Sequence, residues 1–279
     1  MSNSSKKTYS DLLPPNFKEV FAIFDRVCYY LRIEYYLIGA QARNFHLLEN
    51  GITPGRITED IDFAVRLPGF PIYDEMQNML VENGFRKDIE PYRLIHEKTE
   101  TMIDLLPFGE IEREGTVTFA ERKTELSVIG MKEVNAYTID TELEGLTIKV
   151  SPLEGIVILK LISFSEKPGR KKDLDDLSEI LRNYFEINQD RFYTAHLDMV
   201  DEIESTHFVQ LAGARLMGRD MKKILVLSEK LSSQIESTIK NELTEKTGSI
   251  TQYFLSENIF EDYELIKDIF AQILKGISE

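Results

Sequence analysis

The segment YYLIGAQARNFHLLENGITPGRITEDIDFAV, residues 35–65, combines a short apolar run, a glycine, a helical pattern and an alternating strand. The run YYLIG at 35–39 predicts a short buried strand that stops at Gly39. The residues after it have apolar side chains at helical spacing up to Gly51, a glycine typical of helix ends. We therefore expect a strand, a tight glycine turn and a helix in that order.

The second strand of this segment carries two carboxylates. In EDIDFAVRL, the apolar Ile61, Phe63 and Val65 alternate with Asp60 and Asp62. Side chains two residues apart on a strand point to the same face of a sheet. The pattern predicts a strand with one apolar and one acidic face.

A third carboxylate, Asp104, lies in the apolar segment TMIDLLPF, the last of three strands predicted after Gly84. A charge in such surroundings needs a partner. The neighbouring carboxylates of Asp60 and Asp62 repel each other unless a cation compensates, and a divalent metal with oxygen ligands does so. We predict that the three aspartates bind Mg²⁺ or Mn²⁺ and catalyse phosphoryl chemistry, with Asp104 as metal ligand, general base or both.

The remaining patterns divide the chain at about residue 150. An amphipathic helix is expected at 73–84, and the region after it has the patterns of strands and turns. From Pro152 onward nearly every segment has helical spacing. We predict an α/β (α+β) fold, with one domain at 1–150 and a helical domain at 151–279.

One segment of the helical part, THFVQLAGARLMGRDMKKIL at 206–225, contains several small residues. Ala212, Gly213 and Ala214 permit close helix packing, and Gly218 predicts a break between two helices.

Composition limits the classes of function. The chain has 279 residues, a net charge of -15 and 42% hydrophobic residues, which is typical of a globular protein. Such a charge argues against wide, non-specific adhesion to nucleic acid, because that affinity comes from Lys and Arg. A single cysteine, Cys28, excludes disulfides within one chain. No apolar run resembles a secretory signal or a membrane span, so we expect a cytoplasmic protein without a membrane partner.

Three segments, YYLIGAQARNFHL, GRITEDIDFAV and IDLLPFG, resemble the landmarks of the DNA polymerase β-like nucleotidyltransferase superfamily: a strand-glycine-helix turn, an acidic pair and a third aspartate. The long gap between Gly39 and Asp60 resembles the AbiEii/AbiGii family, the toxin component of type IV toxin-antitoxin systems. That family also has a lysine-containing helix followed by an Arg/Lys-Asp-x-x-Asp-Leu segment. Here KLISFSEKPGRKKDLDDL supplies Lys160, Asp173 and Asp176 in matching order. The resemblance covers roughly residues 35–185.

The resemblance implies a nucleotidyltransferase-type mixed sheet flanked by helices, and metal-dependent transfer of a nucleoside monophosphate (NMP) from a nucleoside triphosphate (NTP) to an acceptor. Asp60 and Asp62 would bind the metal, and Asp104 would complete the catalytic site. Lys160 would contact the triphosphate or the leaving group, with Asp173 orienting a neighbouring group. The implied acceptor is RNA, such as tRNA, or a protein, and the implied partner is a cognate antitoxin.

Nucleotide binding is expected where the helix begins, near Ala40. Gly39 would let the backbone approach the phosphates, because free N–H groups at a helix N-terminus favour anions. Arg43 and Arg56 are further candidates for phosphate contact.

Two positions depart from the family pattern. Ala40 replaces the usual second small residue, glycine or serine, and Glu59 stands where serine is common. Thr58 or Arg56 would compensate for the lost phosphate contact.

Two alternative functions stay open. The acceptor of an active enzyme can instead be a small molecule such as an aminoglycoside, because an acidic surface attracts cations. The departures at Ala40 and Glu59 motivate the other alternative, a non-catalytic nucleotide-binding or antitoxin-like module.

Overall fold

The computed structural model describes residues 16–56, 58, 60–143, 145–244 and 248–279, without the side chains of Leu143 and Thr244. The chain divides into two compact units, Met1–Pro152 and Leu153–Glu279. Glu59, one of the two departures from the family pattern, lies outside the described residues.

The first unit contains a sheet, a separate hairpin and four helices among its described residues. Its helices are α1 (Phe17–Leu31), α2 (Gly39–Glu49), α3 (Phe70–Glu82) and α4 (Met131–Asn135). Its strands are β1 (Glu34–Ile38), β2 (Asp60–Arg66), β3 (Phe85–Lys87), β4 (Arg93–His96), β5 (Thr101–Phe108), β6 (Thr116–Phe119), β7 (Thr124–Ser127), β8 (Ile139–Leu143) and β9 (Leu146–Val150).

Seven strands form one sheet in the order β3-β4-β5-β2-β1-β9-β8, while β6 and β7 pair as a separate hairpin. Strand β2 pairs in parallel with β5 and β1 with β9, and the other pairs in the sheet are antiparallel. The prediction of a mixed sheet with helices is therefore confirmed.

Helix α1 covers the apolar face of β2. Its apolar residues recur at helical spacing and are buried, among them Phe21 and Phe24. The ring of Phe24 stacks on Phe63 of β2 with centroids 4.3 Å apart. Because side chains alternate along a strand, packing Phe63 against this helix turns Asp60 and Asp62 to the opposite face of the sheet.

The second unit is helical throughout its described residues. It contains α5 (Leu153–Glu166), α6 (Lys171–Ile187), α7 (Gln189–Ala195), a 3-10 turn (Leu197–Met199), α8 (Phe208–Leu225), α9 (Glu229–Thr244), α10 (Ser249–Ser256) and α11 (Tyr263–Ser278). None of the helices in the described part of the chain has the length and apolar character needed to cross a membrane.

The predicted helix break at Gly218 is wrong, since α8 continues through this residue. The glycine instead allows close helix packing. A Cβ atom on Gly218 would lie 2.1 Å from the carbonyl oxygen of Ile273 in α11, and one on Gly276 would lie 2.2 Å from that of Arg215. Neither contact is tolerable for a side chain, so the absence of one at both positions lets the two backbones meet.

Candidate active site

The acidic pair lies on β2, near the middle of the sheet. Strand β2 alternates as predicted: Ile61 and Phe63 are fully buried, whereas Asp60 and Asp62 are half-buried. The side chain of Asp60 keeps 37% of its surface exposed. Two carboxylates on one strand face, open to solvent, are accessible to a ligand.

The third carboxylate, Asp104, lies on the neighbouring strand β5. Strands β2 and β5 are parallel, and Asp62 pairs with Asp104 in the register of the ladder. Paired residues on adjacent strands have side chains on the same face, so Asp60, Asp62 and Asp104 share one face of the sheet. Of the three aspartates, Asp104 is the most buried, with 10% of its side chain exposed.

Arg93, which we did not predict from sequence, is the partner of Asp104. It lies opposite Asp104 in the antiparallel pair of β4 and β5. Its guanidinium donates two hydrogen bonds to that carboxylate, from Nε to Oδ1 at 2.7 Å and from Nη2 to Oδ2 at 2.8 Å. Nη2 is also 3.7 Å from Oδ2 of Asp60. A bidentate pair of this kind fixes both position and orientation of the carboxylate.

Burial and Arg93 act on the charge of Asp104 in opposite directions. Burial raises the pKa of Asp104 above its ordinary value, and the hydrogen bonds and charge of Arg93 oppose this shift without cancelling it. The same ion pair raises the pKa of Arg93.

Gly39 joins β1 to α2 directly beside the acidic pair. Its backbone has φ of +68°, a conformation that glycine adopts at little cost. A Cβ atom at this position would lie 2.3 Å from Oδ2 of Asp62. The first turn of α2, including the buried Ala40, therefore starts within contact distance of an acidic side chain.

The polar residues of α2 hold the loop that leads to β2. Arg43 is fully buried, and its Nη2 donates to Oδ1 of Asn44 at 2.7 Å and to the carbonyl oxygen of Arg56 at 3.2 Å. Gln41 donates from Nε2 to the carbonyl oxygen of Thr58 at 2.8 Å. These bonds tie the loop to the helix.

The side chains of Arg56 and Thr58 are half-buried, and Arg43 has no exposed surface in this conformation. Direct phosphate contact by Arg43 would require the loop to move. Phosphate contact by Arg43, Arg56 and Thr58 stays a prediction.

Lys160, Asp173 and Asp176 come together in the second unit. The Nζ atom of Lys160 lies 2.8 Å from Oδ1 of Asp173 and 2.7 Å from Oδ2 of Asp176. Ser163 and Arg170 also contact Asp173, at 2.8 Å and 2.9 Å. The lysine in the apolar helix therefore has the partner that its burial requires, namely two buried carboxylates.

Burial lowers the pKa of Lys160, but the charges of Asp176 and Asp173 outweigh it, and the net shift is upward. Lys160 is therefore held as a cation between two anions. The roles predicted for Lys160 and Asp173 towards a triphosphate stay predictions.

The donor set of the first unit suits a hard divalent cation, because carboxylate oxygens are the ligands that Mg²⁺ and Mn²⁺ prefer. The carboxylates are, however, too far apart in this structure to surround a metal ion together. Within the part of the chain that the structure describes, no three Asp, Glu, His or Cys side chains are gathered closely enough to hold a metal ion. Both oxygens of Asp104 accept hydrogen bonds from the Arg93 guanidinium instead.

No protein-family model and no curated protein matches the sequence. Among solved structures, the chain is similar to the antibiotic-resistance factor ANT(2'')-Ia, at 12% identity over 72% of this chain and 91% of that one, with a TM-score of 0.36. An antigenic nucleotidyltransferase-like protein from Paracoccidioides brasiliensis is 15% identical over 80% and 94% of the two chains, with a TM-score of 0.38. The lincosamide antibiotic adenylyltransferase LnuA, bound to lincomycin, is 18% identical over 60% and 99%, with a TM-score of 0.36.

These neighbours include a nucleotidyltransferase-like protein and an adenylyltransferase. Their identities and TM-scores are too low to carry an activity, a substrate or a site residue to this chain. Membership of the AbiEii/AbiGii family stays a prediction.

Proposed function

We propose that this protein is a metal-dependent nucleotidyltransferase that moves NMP from an NTP to an acceptor. One observation carries the proposal: Asp60, Asp62 and Asp104 share one face of two parallel strands, and the N-terminus of α2 begins at Gly39 beside Asp62. Carboxylates for a cation and backbone N–H groups for an anion are thereby adjacent, as a metal-bound triphosphate requires.

Each residue has a distinct task in this proposal. Asp60 and Asp62 would hold the divalent cation, and Asp104 would complete the site. When bound, the cation neutralises the triphosphate and stabilises the charge that develops on the leaving group. Gly39 leaves room for the phosphates, since any side chain there would meet Asp62. Asp104, once released by Arg93, would accept the proton of the acceptor hydroxyl at a carboxylate oxygen. The acceptor oxygen then bonds to the α-phosphorus, and the bond to the departing pyrophosphate breaks.

The acceptor we propose is RNA, with tRNA as the first to test, or a protein. The support is the resemblance to the AbiEii/AbiGii toxin family, which also suggests a cognate antitoxin as partner. The same resemblance supports a contact of Lys160 with the triphosphate and an orienting role for Asp173.

A cationic small molecule is the second candidate acceptor. The net charge of -15 favours it, because an acidic surface attracts a cationic acceptor such as an aminoglycoside and repels the phosphates of RNA.

The test is transfer of label from each radiolabelled NTP, in Mg²⁺, to bulk tRNA, to protein and to a panel of aminoglycosides. The wild type is compared with Asp60→Asn/Asp62→Asn. The chain offers a matched control in Asp140→Asn/Glu142→Gln, since these two exposed acids are also two apart on one strand, β8.

We expect the wild type and the control to label one acceptor class, and the Asp60/Asp62 variant to lose at least about a thousandfold in rate, as expected when a metal site is removed. Label on aminoglycosides alone would select the small-molecule function. Tight NTP binding without transfer to any acceptor would refute catalysis and favour the non-catalytic module.

A further inference from the structure

The acidic face of the sheet already contains a cation. Arg93 reaches from β4 across the sheet surface to both oxygens of Asp104, and its Nη2 is 3.7 Å from Asp60. Across the described residues, the ion pairs of Asp60 and Asp104 all go to this one guanidinium. Arg93 therefore neutralises part of the negative charge that would attract a metal ion.

The register makes this contact a built-in feature of the sheet. Arg93 and Asp104 are directly paired on β4 and β5, and Asp62 follows in the same row on β2. A cross-strand neighbour needs no long reach, and the guanidinium remains enclosed with 24% of its side chain exposed. The arginine is held beside the carboxylates by the backbone itself.

We propose that Arg93 is an internal counter-cation of the acidic site and competes with the divalent metal ion for Asp104 and Asp60. This inference rests on the metal site of the proposed function. The guanidinium satisfies the carboxylates while no metal is bound, and so prevents the like-charge repulsion of the aspartates from opening the site. Metal binding then displaces Arg93 from at least one carboxylate, which lowers the affinity for the metal alone.

Electrostatics gives the size of the competition. A divalent ion and a guanidinium about 5 Å apart repel each other enough, even at the dielectric constant of water, to weaken metal binding about tenfold. Removing the charge of Arg93 should therefore tighten metal binding by about that factor.

The experiment is a titration of the full chain with Mn²⁺ in the absence of nucleotide, with free Mn²⁺ measured by electron paramagnetic resonance. The variants are Arg93→Gln, Arg93→Lys and the control Arg86→Gln. Arg86 is an arginine on β3 whose Nη2 lies 2.8 Å from the exposed Glu100, so its loss changes the net charge equally without touching the aspartates.

We expect Arg93→Gln to bind Mn²⁺ about tenfold tighter than the wild type, and Arg86→Gln to stay within about twofold. Arg93→Lys should fall between, because lysine keeps the charge but cannot grip both oxygens of Asp104. It also preserves a charged partner for Asp104 if the glutamine variant fails to fold, which thermal melting will show. Adding Asp62→Asn to Arg93→Gln should abolish the gain.

Equal or weaker Mn²⁺ binding by both Arg93 variants would overturn the proposal, since Arg93 would then support the orientation of a metal ligand. Absence of Mn²⁺ binding in every variant would overturn it as well. The transfer assay separates the two proposals: tighter Mn²⁺ binding without transfer refutes only the nucleotidyltransferase, and transfer with unchanged Mn²⁺ affinity refutes only the competition.

Discussion

The replacement of Gly39 by alanine tests the geometry of the candidate active site through one methyl group. Two effects act at this position. The first is the backbone, because φ of +68° is unfavourable for any residue with a Cβ. The second is a collision, since the new Cβ would lie 2.3 Å from Oδ2 of Asp62.

The first effect acts mainly on stability and the second mainly on activity. The left-handed backbone costs about 1–2 kcal/mol of folding free energy. Relief of the collision requires Asp62 or the turn to move from 2.3 Å to the 3.4 Å of an ordinary contact, a shift of about 1.1 Å. A displacement of about 1 Å at a reacting centre costs about a hundredfold in rate.

Gly51 provides the matched control. It has nearly the same conformation, with φ of +74°, but a Cβ there would meet nothing within 4 Å. Gly51→Ala should therefore lose only the roughly 1–2 kcal/mol of the backbone effect and keep its activity, whereas Gly39→Ala carries the collision in addition. We expect Gly39→Ala to lose about a hundredfold in the rate of NMP transfer and to bind Mn²⁺ more weakly, because Asp62 is displaced.

The assays are urea denaturation for stability, and NMP transfer and Mn²⁺ titration for the site. If Gly39→Ala and Gly51→Ala retain equal transfer activity, Asp62 does not act from the position seen here and the reasoning fails. A loss of stability well above roughly 1–2 kcal/mol in Gly51→Ala would contradict the estimate of the backbone cost.

Two further predictions concern buried ionisable groups. Lys160→Met leaves the carboxylates of Asp173 and Asp176 without their buried cation and should lower the free energy of unfolding, measured by urea denaturation, by about 3–5 kcal/mol. Changing both aspartates to Asn in the same variant should restore most of this stability. An unchanged urea midpoint for Lys160→Met would contradict a structural role of the ion pair. His46 is buried with Nε2 2.8 Å from the Ser151 carbonyl oxygen, and burial lowers its pKa below 6.5 although that hydrogen bond opposes the shift. The unfolded chain therefore takes up a proton at His46 below about pH 6.5 that the folded chain excludes, so stability falls as pH falls; His46→Gln should reduce this slope by up to about 1.4 kcal/mol per pH unit between pH 5 and 6.5, and identical slopes would refute the assignment.

Local pattern in the sequence determined the secondary structure around the site. The alternation of apolar and acidic residues in β2 shows that one face of the strand is buried and the other is partly exposed. This pattern is readable from seven consecutive residues. The strand-glycine-helix turn at Gly39 was predictable for the same reason, because a positive φ selects glycine locally. The need of Lys160 for a partner followed from the cost of burying a lone charge.

The tertiary structure decided which distant residues meet. Arg93 is eleven residues from Asp104, and only the register between β4 and β5 makes it the partner of that carboxylate. A one-residue slip would turn Arg93 to the other face, so no local pattern identifies the contact. The one signal that could have suggested the pair is that each of the two strands, β4 and β5, contains a single residue of opposite charge, Arg93 and Asp104.

The same distinction explains Gly218. A glycine within a helical pattern signals a break when only local propensity acts. Here α11 lies so close to α8 that a side chain would collide with the carbonyl oxygen of Ile273, and the packing of the two helices outweighs the poor propensity of glycine. The sequence by itself therefore determined the elements and the acidic face, because both depend on neighbours along the chain. Only the folded chain decided the counter-ion of Asp104 and the continuity of α8, because both depend on residues that are distant in sequence.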